Sequence, residues 1–168
     1  MKSAQQIKSM KIKQKIVMLT AYDYPTAKLM DGIVDIILVG DSLGMVVLGY
    51  ENTTNVTMQD MIRAVEAVAR AAKNALVVGD MPSGTYDNEQ RALKNAKLLI
   101  NAGAKAIKIE NKPEIAEFLI KNNIEVMGHI GLTPQTITNF KVQGKNDEDA
   151  KKLLEEFAKS RDGKAVFG

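Results

Sequence analysis

Short apolar runs alternate along this chain with longer amphipathic stretches. The runs are IVMLT (16–20), DIILVG (35–40), ALVVGD (75–80), AIKIE (106–110), IEVMGH (124–129) and KAVFG (164–168). Their length, β-branched content and bounding glycines predict buried strands. Between them apolar residues recur at helical spacing, and helices are predicted over 25–31, 57–73, 87–102, 113–122 and 147–160. The second stretch opens on the cap pattern Thr57-Met58-Gln59-Asp60 and carries Met61, Val65, Val68 and Ala72 on one face. Gly103 suits a helix stop, Pro113 suits a first turn, and Asp147, Glu148 and Asp149 suit the positive end of a helix dipole. No element is assigned to residues 1–15.

Nearly continuous apolar strands separated by helices describe a parallel sheet covered by helices, which makes the chain α/β. Two architectures satisfy that order: an open doubly wound sheet and a closed (β/α)8 barrel. No GxGxxG follows any strand and no Walker A loop is present. No linker-like stretch divides the chain, so residues 1–168 read as one domain.

Composition narrows the function classes. At 168 residues, 45% apolar and 26% charged, the chain has the make-up of a globular domain rather than a disordered one. The absence of cysteine excludes disulfide scaffolds, zinc ribbons and thiol catalysis, and fits a cytoplasmic protein. No apolar run approaches the ~20 residues of a membrane helix, and residues 1–15 lack the core of a signal peptide, so no membrane partner is expected. The net charge of +3 is mild, and Lys8, Lys11, Lys13 and Lys15 are not interleaved with aromatics. No nucleic-acid partner is expected.

The informative positions are the strand ends. The second run leads into Asp41-Ser42, the third closes on Asp80, the fourth carries Lys108 and closes on Glu110, and the fifth ends at His129. These residues recur about one strand–helix unit apart, and a parallel α/β fold brings all C-terminal strand ends to one face. Each alone has a bland reading: Asp41 as a turn or cap residue, Lys108 as a solvent-facing lysine, His129 as a structural histidine. Alternation in AIKIE, however, puts Lys108 and Glu110 on one side and Ile107 and Ile109 on the other. Three carboxylates in one crevice require neutralisation, which Lys108 supplies in part. Oxygen ligands without cysteine point to Mg2+ for the rest. A substrate with a carboxylate beside a carbonyl could chelate such an ion, whose Lewis acidity would stabilise an enolate.

At these residues the chain resembles a known family. VGDSLGM (39–45), TAYDY (20–24), GDMP (79–82), AGAKAIKIE (102–110), GHIGLTPQ (128–135) and FKVQGK (140–145) are similar to ketopantoate hydroxymethyltransferases, in order and with the family's spacing, over about residues 12–150. The resemblance implies a (β/α)8 TIM barrel of the phosphoenolpyruvate/pyruvate superfamily, acting in pantothenate biosynthesis. It implies transfer of a one-carbon unit from 5,10-methylenetetrahydrofolate to 3-methyl-2-oxobutanoate, giving 2-dehydropantoate. Asp41, Asp80 and Glu110 match the family's magnesium positions; Asp41, Ser42, Asp80 and Lys108 match those that hold the keto acid, with His129 nearby. The resemblance makes Lys108 and His129 supporting groups of the reaction, and the intact family implies a homo-oligomer.

The chain also departs from the pattern. A complete barrel takes roughly 200–250 residues, and here five strands and a sixth short run can be counted, so an incomplete barrel of five to six strands is expected. The family's general-base glutamate follows strand six, beyond Gly168, so no catalytic base is assignable. FAKSRDGK (157–164) lacks the usual small-residue approach to that strand, and Ser83 stands where an aromatic is commoner. A truncated form, or one completed by another chain, is expected, with an apolar lumen and two raw sheet edges exposed. Alternatives are a Mg2+-dependent α-keto-acid lyase of the same superfamily and a non-catalytic barrel fragment.

Overall fold

The computed structural model describes residues 1–133, 135, 144–162 and 166–167, with side chains as far as residue 155. Pro134, most of the FKVQGK string and the flanks of the last run lie outside the described residues. Six strands form one parallel sheet in chain order: β1 (Met18–Thr20), β2 (Ile36–Val39), β3 (Leu76–Asp80), β4 (Ala106–Glu110), β5 (Val126–His129) and β6 (Val166–Phe167). Each strand pairs only with its sequence neighbours. That sequential order is the winding of an incomplete (β/α)8 barrel and excludes the doubly wound alternative, whose strand order reverses at a switch point.

Each strand–helix turn follows from local chemistry. Helix α2 (Tyr24–Met30) is capped by Asp23, which accepts from the Thr26 amide, and has proline in its first turn. Helix α4 (Met58–Ala71) starts with the predicted capping reciprocity between Thr57 and Asp60, and buries Met61, Ala64, Val65, Val68 and Ala71. Helix α5 (Glu89–Asn101) starts at Asn88 and buries Ala92, Ala96 and Leu99. Gly103, just past its end, has φ +115°, and a Cβ there would lie 2.5 Å from Ala69 Cβ. Only glycine permits both this backbone turn and the α4–α5 approach. Helix α6 (Pro113–Lys121) has Pro113 in the first turn, and α7 (Asp147–Asp162) has its three acids there. Asp31 accepts from the amides of Lys73, Asn74 and Ala75, tying the turn before β3 to the end of α2.

Strands β2 to β5 bury both faces, whereas the run over 16–20, predicted as a buried strand, is exposed because β1 stands at the open edge of the sheet. Ile37, Val39, Val77, Ile107, Ile109 and Val126 pack outward against the helices, while Ile36, Leu38, Leu76, Val78, Ala106 and Met127 face the lumen side. Two findings correct the sequence reading. Residues 1–15, assigned no element, contain helix α1 (Ala4–Met10), whose start is fastened by a capping box from Ser3 and Gln6. Its Ala4, Ile7 and Met10, one face at helical spacing, close the N-terminal end of the lumen, so the lumen residues are buried rather than exposed. Lysines masked that stripe in the sequence. The edge at β1 is open as expected: Met18 and Leu19 are exposed by 37% and 49%. A further short helix, α3 (Leu43–Val46), and a 3-10 turn at Thr53–Asn55 were not anticipated.

Candidate active site

The C-terminal ends of β2 to β5 converge on one rim. Alternation carries Asp80, Lys108, Glu110 and His129 to the lumen side, directly above the apolar residues that α1 closes off. In the paired register Asp80 lies opposite Lys108 and Glu110 opposite His129. Asp41 follows β2 and is buried too; Asp41, Asp80, Lys108 and Glu110 are all less than 10% exposed. Every one of the sequence-predicted strand-end residues therefore reaches this rim. Four ionisable groups at that depth are costly unless each is paired.

The pairing centres on Lys108. Its Nζ donates to Asp80 Oδ2 at 2.7 Å and to Glu110 Oε1 at 3.2 Å. Glu110 Oε1 also meets His129 Nδ1 at 2.9 Å. A carboxylate partner places the proton on Nδ1 and leaves Nε2 as the other face of the ring. Asp80 Oδ2 lies 3.4 Å from the Asp41 backbone amide. Ser42 Oγ pairs with the Tyr22 hydroxyl at 2.9 Å, at the entrance to α3.

Two aromatic and amide side chains that strand-end reasoning did not reach complete the site. Gln135 donates from Nε2 to Asp41 Oδ2 at 2.8 Å and to the Met81 carbonyl at 2.9 Å, and its own amide N–H points to Glu110 Oε2 at 3.3 Å. Tyr86 donates its hydroxyl proton to Gln135 Oε1 and accepts from the Glu110 amide at 3.3 Å. Gln135 and Tyr22 do stand inside the strings GHIGLTPQ and TAYDY, which was the available signal. Tyr86 stands in none.

Protonation follows from burial and neighbours. Burial pushes the Asp80 carboxyl up to about 7, against the pull of Lys108 and with Asp41 and Glu110 adding to the rise. Burial also raises Asp41, partly offset by the Gln135 amide and Lys108. At Glu110 burial is outweighed by His129 and Lys108, and the carboxyl stays below its ordinary value. Burial works against the Lys108 ammonium, but the surrounding carboxylates prevail and its pKa lies above the usual lysine value. Lys108 is thus a fixed cation, and Asp80 is the carboxyl poised near neutrality.

Whether a hard cation fits is decided by the donor set. Among the described residues no three His, Asp or Glu side chains form a ready-made cage, and Lys108 Nζ stands between Asp80 and Glu110. Yet Asp80 Oδ1 is buried with no hydrogen-bond partner, and three carboxylates face one lysine. An unpaired buried carboxylate oxygen demands a donor or cation. Mg2+ takes one or two carboxylates and fills its remaining positions with water and substrate oxygens, so these residues fit it.

The chain matches known proteins along nearly its whole length. The family model for ketopantoate hydroxymethyltransferase matches residues 1–165. Two proteins named 3-methyl-2-oxobutanoate hydroxymethyltransferase, from Ignicoccus hospitalis and Pyrobaculum arsenaticum, are 52% and 57% identical, over 96% and 87% of this chain. The chain covers 64% and 58% of those two proteins. Among solved structures, a phosphonopyruvate hydrolase in complex with oxalate and Mg2+ superposes with TM-score 0.73 at 11% identity, over 98% of this chain and 61% of that one. The phosphoenolpyruvate phosphomutase of Streptomyces platensis does so with TM-score 0.73 at 16% identity, over 98% and 62%. A neighbour of the same fold, 2,3-dimethylmalate lyase, is described as a PEP mutase/isocitrate lyase superfamily member. The fold is shared with these structures, and the chain belongs to the ketopantoate hydroxymethyltransferase family.

Proposed function

We propose that this chain carries the metal- and keto-acid-binding part of a hydroxymethyltransferase centre. The substrate is 3-methyl-2-oxobutanoate, the one-carbon donor is 5,10-methylenetetrahydrofolate, and the product is 2-dehydropantoate, a step of pantothenate formation in the cytoplasm. The observation that carries this reading is the rim cluster of Asp41, Asp80, Lys108, Glu110 and His129, with one Asp80 oxygen unpartnered. It rests also on the family to which the chain belongs.

Asp41 and Asp80, with Glu110 behind them, would hold Mg2+. When bound, Mg2+ supplies Lewis-acid polarisation of the keto acid's oxygens. Lys108 contributes a permanent positive charge within the buried rim, where charge interactions are strong, and so favours an anionic substrate. Ser42, oriented by Tyr22, offers a hydroxyl to a substrate oxygen. His129, oriented through Nδ1 by Glu110, presents Nε2 as a second hydrogen-bonding group.

Transfer requires the carbon beside the keto group to lose a proton before it attacks the one-carbon unit. Lys108 is protonated and Glu110 is engaged by Lys108 and His129, so neither takes that proton. From the family resemblance alone, the base is proposed to be a glutamate that follows strand six, outside residues 1–168. Purified chain supplied with the keto acid, the folate and Mg2+ is expected to transfer far more slowly than a full-length relative. Turnover at the relative's rate would overturn the division of the site.

A further inference from the structure

We propose that Gln135 and Tyr86 are positioning residues that hold Asp41 and Glu110 in register for the cation and the keto acid. The inference rests on the binding site proposed above and concerns two residues to which no role has been given. Gln135 follows β5, yet it reaches across the rim to three other strand ends, two through its side chain and one through its backbone. One amide engages Asp41 after β2, the Met81 carbonyl after β3, and Tyr86 in the loop before α5, while the backbone N–H reaches Glu110 on β4.

The direction of every bond in this bridge is determined. The Glu110 amide can only donate, so the Tyr86 oxygen accepts there and its proton goes to Gln135. Gln135 Oε1 therefore faces Tyr86, and both hydrogens of Nε2 face acceptors, Asp41 Oδ2 and the Met81 carbonyl. Turning the amide over would set its oxygen against a carboxylate and a carbonyl. All the polar capacity of the side-chain nitrogen is committed to a single arrangement.

That arrangement acts on the two carboxylates from opposite sides. Asp41 Oδ2 is held by Gln135, which fixes the rotamer and hence where the other oxygen points. Glu110 Oε2 receives the Gln135 amide while Oε1 receives Lys108 and His129, so its plane is fixed as well. Groups that lock ligating carboxylates from behind govern affinity because the ligand then meets a preorganised set. Thr133 and Asn111, joined at 2.9 Å between their side chains, support the loop that delivers Gln135.

The test is binding to the 168-residue chain, with Mn2+ as a spectroscopic stand-in for Mg2+, read by electron paramagnetic resonance with and without 3-methyl-2-oxobutanoate. Gln135→Ala is expected to weaken Mn2+ binding in the presence of the keto acid at least tenfold. Tyr86→Phe, which keeps the ring and removes only the hydroxyl, is expected to weaken it severalfold. Both variants are compared by circular dichroism and thermal melting. A lowered melting temperature with an unchanged Mn2+ dissociation constant in both variants would show a merely structural bridge and overturn the inference. Failure of the unaltered chain to bind Mn2+ and keto acid at the rim would instead overturn the proposed function, and this inference with it.

Discussion

Asp80 makes the stability of this protein depend on pH in a direction opposite to that of most carboxylates. Its carboxyl titrates near 3.8 when exposed and is pushed to about 7 by complete burial. A group whose pKa is raised on folding stabilises fully below its unfolded value, and that contribution is lost as pH rises through the folded one. Between pH 5 and pH 7 the folded chain binds a proton at Asp80 that the unfolded chain does not. Linkage then lowers the unfolding free energy by about 2 kcal/mol across that window. With a urea slope of about 2 kcal/mol per molar for a domain of this size, the midpoint falls by about 1 M. Glu110 works in the other sense: its lowered pKa adds stability above its ordinary value that is lost only in acid, so it contributes little change in this window. Asp80→Asn removes the titration and leaves only the smaller contribution of Asp41, raised in the same direction. The assay is urea unfolding followed by circular dichroism at pH 5, 6, 7 and 8 without divalent cation. A midpoint for the unaltered chain that holds or rises from pH 5 to 7 would refute the reasoning. So would an equally steep fall in Asp80→Asn.

Lys108→Met leaves Asp80 and Glu110 buried without their shared cation and is expected to destabilise by about 3–5 kcal/mol at pH 8. The deficit should shrink toward pH 5 as the carboxyls protonate, and equal stability at pH 8 would contradict the pairing. Ile7→Ala removes the plug residue of α1, which is 1% exposed. It is expected to cost about 2–5 kcal/mol and to increase binding of a hydrophobic dye; an unchanged urea midpoint would show that α1 does not close the lumen.

The succession of strands along the chain and the residues at their ends were legible because both depend on short-range pattern, whereas the choice between an open sheet and a barrel came from the resemblance. AIKIE alternates so plainly that Lys108 and Glu110 could be placed on the same side, and they pair with each other in the structure. The ends of β2 and β3 carry aspartates for the same reason. Helix α1 was not legible: Ala4, Ile7 and Met10 form a narrow stripe among lysines, and its burial comes from a lumen assembled by four distant strands. Tyr86 was not legible either, because its role is set by contacts to Glu110 and Gln135 that lie 24 and 49 residues away in the chain. Nor did spacing show that Lys108 would stand between two of the carboxylates expected to hold Mg2+. That outcome depends on how far a lysine side chain reaches across a sheet, not on where it falls in the chain.

The chain spans about 60% of the length of the curated relatives it matches. Even so, every residue proposed to bind Mg2+ lies on β2 to β4 or directly after them, with α1 sealing the lumen beneath. The binding part of the centre is therefore built from elements that this chain contains.

The central claim is that the carboxylates at the ends of β2, β3 and β4 bind one divalent cation together with an α-keto acid. Anomalous diffraction from crystals grown with Mn2+ and 3-methyl-2-oxobutanoate tests it most directly. The account predicts a single Mn2+ peak at the rim, within coordination distance (about 2 Å) of an oxygen of Asp80 or Asp41, with the keto acid completing its shell. An ordered keto acid with no Mn2+ at the rim, or Mn2+ bound only elsewhere on the chain, would contradict it.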